Sequence, residues 1–324
     1  MHMSTFFRLF PPPKFLVMRH AGLDISDDEI HCLKYAHSAG GKEIIGTFSA
    51  LSVPENVIQD GDIKDTQKFT DLLVDFGKKA GLSYVKVSIP EEKAYLFQTN
   101  VPGGTINEIR QNIEFKLEEN VPLAAADAVF YYDLLPMSVT GGVLRASVSV
   151  VPRTYIEHHI ELLSKANLFP VSFEVVPKAI ARAIVPPHSE ETLLILHMMN
   201  RKTGIYIVSG GVVSFTSTIG LGSRIQVEEG HPSYTDLLSR EIARVYSYWG
   251  SREGNTSSIS RIVLVGQDAV EHEHALIDAS QDIRVPIGVA NTWQNTLDLN
   301  HYVPPISKND SLAYVVAAGL AMDH

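Results

Sequence analysis

The sequence predicts an α/β protein made of two like halves, with a small block set into the first. Three observations predict it. A pattern of three strands, a helix and a fourth strand runs twice along the chain, and duplication of a whole unit outweighs any single element as a fold signal. Each copy opens on an apolar strand, a short polar turn and a returning strand. These are Gly22-Leu23-Asp24-Ile25-Ser26-Asp27-Asp28-Glu29-Ile30-His31 and Leu193-Leu194-Ile195-Leu196-His197-Met198-Met199-Asn200-Arg201-Lys202-Thr203-Gly204-Ile205. Between the copies lies a stretch that follows neither.

In the first copy, strands are predicted over 21–25, 30–35 and 43–51, with Gly40-Gly41 turning the second into the third. A helix over 65–80 gathers Phe69, Leu72, Leu73 and Phe76 on one face and stops at Gly81; an apolar strand over 85–89 follows. The intervening block begins with a strand over 95–101. Thr105 and Glu108 have the spacing of a capping box, opening a helix with Ile106, Ile109, Ile113 and Leu117 on one face, ended by Asn120-Val121-Pro122. Strands over 128–135 and 144–151 come next. A second box, Thr154 with Glu157, opens a helix bearing Ile156, Ile160 and Leu163. The block is thus β-α-β-β-α. A helix over 175–184 returns to the main body. The second copy has strands over 193–196, 205–208 and 212–219, a helix over 234–249 with Leu238, Ile242, Val245 and Trp249 on one face, and a strand over 262–265. An alanine-rich helix over 311–321 closes the chain, and its Gly319 points to close packing. The division is 15–94 for the first half, completed by 170–190 and 309–322, then 95–169 for the insert and 191–308 for the second half.

Composition narrows the function. The 324 residues are 45% apolar and 20% charged, which is ordinary for a globular protein. Net charge is −10 with no dense Lys/Arg stripe, so nucleic acid is not an expected partner. No apolar run nears the ~20 residues that span a bilayer, and no secretory signal is present, so a cytoplasmic location is expected. The one cysteine, Cys32, fits a reducing compartment and reads as a small packed residue. Ser4-Thr5-Phe6-Phe7-Arg8-Leu9-Phe10, stopped by three prolines, reads either as a tail or as a segment that touches lipid or a partner. Glu271-His272-Glu273-His274 alternates ligand-type side chains at i, i+2, which sends its histidines to different helix faces, so a solvated segment is expected rather than a metal site. His158-His159 and the Tyr246, Tyr248, Trp249 group read as packing.

A duplicated βββαβα plan with an insert in its first half resembles the actin-like (ribonuclease H-like) ATPase architecture. Further motifs make the chain similar to the PilM family of type IV pilus assembly proteins, relatives of the division protein FtsA. They are Gly22-Leu23-Asp24-Ile25, Val53-Pro54-Glu55, Asp60-Gly61-Asp62-Ile63-Lys64-Asp65, the acidic helix within 109–122, the segment 160–168, and Ala317-Ala318-Gly319-Leu320-Ala321. The resemblance implies a cytoplasmic scaffold at the inner membrane. It would bind the N-terminal tail of a PilN-like membrane protein in a groove involving the insert, and would couple to pilus motor and assembly proteins. Membrane contact would be indirect, or through the Phe-rich N-terminus.

In actin-like proteins the two turns and a glycine-rich loop hold Mg-ATP. The positions implied here are Asp24, Ser26, Asp27, Lys202, Thr203, Gly222, Gly266 and Gln267, with Asp24 as a magnesium ligand only if Mg-nucleotide binds. Several depart from the pattern. Asp27, Asp28 and Glu29 stand where Ser or Thr is usual, and each carboxylate ~4 Å from a phosphate opposes it by about 1 kcal/mol in water and several in a cleft. His197 stands where Asp is usual and Met199 where Gly is, while Gly266-Gln267-Asp268 replaces a run of small residues. Arg201 and Lys202 remain able to meet an anion. Asp27–Glu29 would either repel phosphate or point into solvent. The expectation is a degenerate site with weak or lost ATP binding and no catalytic residues. An active ATPase and an FtsA-like division protein stay open as alternatives.

Overall fold

A computed structural model of the chain describes residues 19–38, 40–135, 142–224, 232–252 and 257–322. The Phe-rich segment and the last two residues lie outside them.

Strands β1 (Ala21–Ile25), β2 (Glu29–His37) and β3 (Glu43–Ser52) form an antiparallel meander. A short hairpin, β4 (Ile58–Gln59) and β5 (Asp62–Ile63), turns through Asp60 and Gly61 at φ 51° and 72°. Two successive positive φ values are what a two-residue primed turn requires, and Asp-Gly supplies them cheaply. Helix α1 (Thr66–Ala80) is capped by Asp65, whose carboxylate accepts from the Lys68 amide at 3.0 Å, and ends on Gly81 at φ 64°. It buries Phe69, Leu73 and Phe76 on the sheet and serves as the crossover that lets β6 (Tyr84–Ile89) run parallel to β1.

The insert follows: β7 (Tyr95–Pro102), α2 (Ile106–Phe115), α3 (Leu117–Asn120), β8 (Ala128–Leu134) and β9 (Val143–Pro152). Its sheet has the order β7-β9-β8 and its own core around Val101, Ile113, Leu117, Phe130 and Val148. The Thr105–Glu108 box forms in full, although the helix it opens breaks at Lys116. The Thr154–Glu157 box does not form. Strand β9 runs to Pro152, still paired with Ala128, and helix α4 (Arg153–Lys165) starts directly on it without a side-chain cap. Helix α4 sends Leu162 and Leu163 into the core of the first half. Strand β10 (Phe169–Val175), which sequence reading did not foresee, then pairs parallel with β6, and α5 (Val176–Ile184) follows.

In the second half, β11 (Thr192–Met198), β12 (Thr203–Ser209) and β13 (Val212–Ile219) repeat the meander. Helix α6 (Tyr234–Ser251), β14 (Arg261–Val265), α7 (Ala269–Ala279) and the unforeseen β15 (Ile287–Val289) complete it. The sheet order β13-β12-β11-β14-β15 repeats β3-β2-β1-β6-β10 strand for strand. Glu271–His274 lies on α7, where the Glu273 carboxylate accepts from the Val289 amide at 3.1 Å. Among the described residues no group of three or more His, Cys, Asp or Glu is placed to hold a metal. Cys32 is fully buried, and burial pushes its thiol up to about 11, out of reach of ordinary thiol chemistry.

The chain closes with a 3₁₀ turn over Asp310–Tyr314 and helix α8 (Val315–Ala321), so only the second part of the expected 311–321 helix is α-helical. Helix α8 serves both halves. Val315, Val316 and Leu320 pack into the second core, while Ala317, Ala318 and Ala321 pack with Leu33 and Tyr35 of the first sheet. It also touches α5, and this crossing needs glycine. A Cβ on Gly319 would stand 1.9 Å from the Ala179 carbonyl oxygen, and one on Gly22 would stand 2.0 Å from that of Ala317. Gly319→Ala is therefore expected to lower stability by about 3 kcal/mol, since backbone rather than a flexible side chain must give way. An unchanged melting temperature for this variant would contradict that account.

Candidate functional site

The β1–β2 and β11–β12 turns meet across the cleft between the halves, and they are one hairpin made twice. The Ser26 amide donates to the Glu29 carbonyl at 3.0 Å, and the Met199 amide donates to the Lys202 carbonyl at 3.1 Å. Flanking pairs Ile25–Ile30 and Met198–Thr203 are likewise equivalent. The match makes His197 the counterpart of Asp24 and Met199 that of Ser26, in agreement with the family positions that the sequence assigns to His197 and Met199.

The turn tips carry opposite charge and touch. Arg201 pairs with Asp28 at 2.5 Å, and the Lys202 ammonium donates to Asp27 at 3.3 Å and to Glu92. Asp27 is only 7% exposed, and its carboxylate also accepts from the amides of Asp60 (3.2 Å) and Gly61 (2.9 Å) at the positive-φ turn between β4 and β5. Asp27 does not point into solvent, and both Asp27 and the partly exposed Asp28 meet the opposite hairpin's cations. Glu91, just past β6, reaches across as well, accepting from Tyr206 at 2.7 Å and Thr218 at 3.1 Å. Glu91, Glu92 and Tyr206 were not singled out in the sequence. A signal existed, because a Pro-Glu-Glu run directly after a buried parallel strand sits at the carboxyl end of the sheet, where α/β proteins place ligands.

The eight candidate residues divide into three groups. Asp24, Ser26, Gly266 and Gln267 line a small cavity between the hairpins. Asp27 and Lys202 form the bridge above it. Thr203 and Gly222 lie behind the second hairpin and line none of the cavity. The Thr203 hydroxyl is fully buried, bonded to the Leu221 carbonyl at 2.7 Å and to the Tyr234 hydroxyl at 2.9 Å. Gly222 allows its loop to lie on the hairpin, where a Cβ would stand 2.1 Å from the Asn200 carbonyl oxygen. Gly266, at φ 103°, does the same against Met198 O, also at 2.1 Å.

Inside the cavity the groups lean toward neutrality. Burial pushes Asp24 up to about 7, reinforced by Glu91 and opposed by Ser88 and Lys202. Burial lowers His31 to about 4 and His197 to about 3, the neighbouring His197 adding to the first and Lys202 to the second. At the bridge, burial works against the Lys202 ammonium, but Glu92 and Asp27 together outweigh it and keep it charged.

Mg-ATP, the cofactor implied by the architecture, does not fit this arrangement. The cavity is about 50 Å³, whereas small-molecule sites run from roughly 300 to 1,000 Å³. Arg201, Lys202 and Arg224 are already paired with carboxylates, which outnumber them. One carboxylate 4 Å from a phosphate charge opposes it by about 4 kcal/mol at the effective dielectric of a partly buried site.

The buried acid makes stability depend on pH. Asp24 titrates near 3.8 unfolded and about 7 folded. The native state therefore holds the extra proton between those values, and the group's contribution to stability falls as pH rises through that window. His31 and His197 act in the opposite sense, favouring the native state above their unfolded value of 6.5 and losing that contribution toward about 4 and 3. Asp24→Asn removes only the first effect. Its stability relative to wild type should rise from about pH 5 to about pH 8, by a few kcal/mol at most. Denaturant melts at the two pH values check this, and a constant difference would contradict the buried-acid account.

No protein-family model matches the sequence, and no curated protein does. Among solved structures, a chain of the PilM-PilN type IV pilus biogenesis complex superposes with a TM-score of 0.76 at 16% identity, covering 94% of this chain and 98% of that one. The ethanolamine utilization protein EutJ from Carboxydothermus hydrogenoformans gives 0.50 at 12% identity, covering 96% and 90%. The cytoplasmic domain of EpsL, an inner membrane component of the type II secretion system of Vibrio cholerae, gives 0.49 at 13% identity, covering 92% and 94%. With its duplicated sheets and its insert, this chain has the actin-like ATPase fold, in the form seen in the PilM-PilN complex.

Proposed function

We propose that this protein is a scaffold of a type IV pilus or related inner-membrane assembly complex, that it binds the N-terminal tail of a PilN-like membrane protein, and that ATP binding is weak or lost. The observation that carries the reading is the near end-to-end superposition on a chain of the PilM-PilN complex, insert included. Two further features support it. The insert has a core of its own yet leaves Ile106 (56%) and Phe115 (82%) exposed, as a peptide-docking element would. The cleft, meanwhile, is small and rich in carboxylates, which suits a scaffold better than an ATPase. No helix among the described residues is long and apolar enough to cross a membrane, so attachment in this reading goes through the partner.

A synthetic peptide from the N-terminal tail of a PilN-like protein of the same organism should bind the full chain with micromolar affinity or better, roughly −8 kcal/mol, in a calorimetric titration. Absence of binding to protein shown by circular dichroism to be folded would refute the scaffold reading. In the same preparation the melting temperature should not move with Mg-ATP. A melting temperature that climbs with ATP concentration would favour the ATPase alternative.

A further inference from the structure

The cleft's charges are arranged to satisfy each other rather than a ligand. Asp27 is fixed from its own side by the Asp60 and Gly61 amides, at 3.2 and 2.9 Å, and from the other lobe by Lys202 at 3.3 Å. The Lys202 side chain is 14% exposed and has carboxylates from two separate segments around it, Asp27 and Glu92. Arg201 and Asp28 repeat the pairing at the rim, at 2.5 Å. We propose that Asp27, Asp28 and Glu92 act as a built-in anion for Arg201 and Lys202, latching the two lobes closed with no ligand bound. The inference is independent of the pilus reading, since it concerns how the halves are held and not what they bind.

The latch is distinguishable from the other contacts that join the lobes. The insert also touches the second half, where the Ser147 hydroxyl donates to the Val213 carbonyl at 2.6 Å and the Gln98 amide to that of Ser214 at 3.4 Å. Those contacts are neutral and lie on β13. Removing the hairpin cations leaves them untouched, so a change in lobe separation reports on the ion pairs.

The test places spin labels on the exposed positions Gln67 of α1 and Ser247 of α6, each changed to Cys; the native Cys32 is buried and escapes labelling. Inter-label distances are measured by pulsed electron resonance in the full chain. The wild-type background should give one narrow distribution, unchanged by Mg-ATP. Arg201→Ala with Lys202→Ala should lose it for a broader and longer one. Exchanging the rim charges, Asp28→Arg with Arg201→Asp, should retain the narrow distribution, because the pair is rebuilt in reverse. If the double-alanine protein does not fold, Asp27→Asn, which keeps shape and removes one charge, takes its place with the same expected broadening. A wild-type distribution in the folded double-alanine or Asp27→Asn protein overturns the latch and assigns closure to the remaining contacts between the lobes, those of the insert, of Glu91 and of α8. A distribution that narrows or shifts on adding Mg-ATP to wild type overturns it too.

Discussion

Two charged hairpins of one plan can meet tip to tip only if their charges are opposite in sign. Like-charged turns repel. Here the copies carry opposite signs, with Asp27 and Asp28 on one and Arg201 and Lys202 on the other, so what would hold the lobes apart draws them together. Exposed ion pairs contribute little, and the Arg201–Asp28 pair at the rim belongs to that class. Lys202 is different. Its desolvation is offset only because Asp27 and Glu92 converge on it, and removing either side of such a buried arrangement leaves an uncompensated charge. The small size of the cavity beneath follows from how closely the tips approach.

The rest of the molecule holds those tips in place. Each hairpin hangs from the middle strand of a five-stranded sheet, flanked by a parallel neighbour on one side and its own antiparallel return on the other. Helix α8 packs into both cores at once, and Gly22 and Gly319 permit the close contacts it makes. The Asp60-Gly61 turn adds a brace from outside, since its paired amides fix the Asp27 carboxylate before the second lobe engages it. A lone hairpin carboxylate would sample solvent; a braced one presents a fixed target.

Much of this was legible in the sequence, and the parts that were not share a cause. The two meanders and both main helices follow from short-range periodicity and from the repeat of one pattern, while the equivalence of Asp24 with His197 comes through the family resemblance. Strand β10 escaped because Pro170 interrupts its apolar run, and proline is tolerated there only because β10 is a sheet edge. Strand β15 has three residues, Ile287–Val289, too few for a periodic signal. The Thr154–Glu157 spacing matched a capping box, but β9 keeps its ladder to Pro152 and leaves Thr154 inside the helix. The direction of Asp27 and Asp28 was not readable at all. Their partners lie in the other copy, and local chemistry permits either a solvated tip or a buried one.

The cleft is best described by comparison with a protein–protein interface. Such interfaces have a core depleted of charge and a polar rim. Here the interior holds two histidines kept neutral by burial and an aspartic acid poised near neutrality, while the formal charges stand at the bridge and the edge, paired one against another. A triphosphate site has the reverse order, with cations and a metal at its centre. Producing that order here would take more than one substitution. A carboxylate at position 197 would add a second buried acid facing Asp24 while Asp27 and Glu92 still held Lys202, so charge repulsion would rise before any binding group became free. Because Lys202 is held from across the lobes by Asp27 and Glu92, changing one side of that arrangement alone leaves the other buried without an opposite charge.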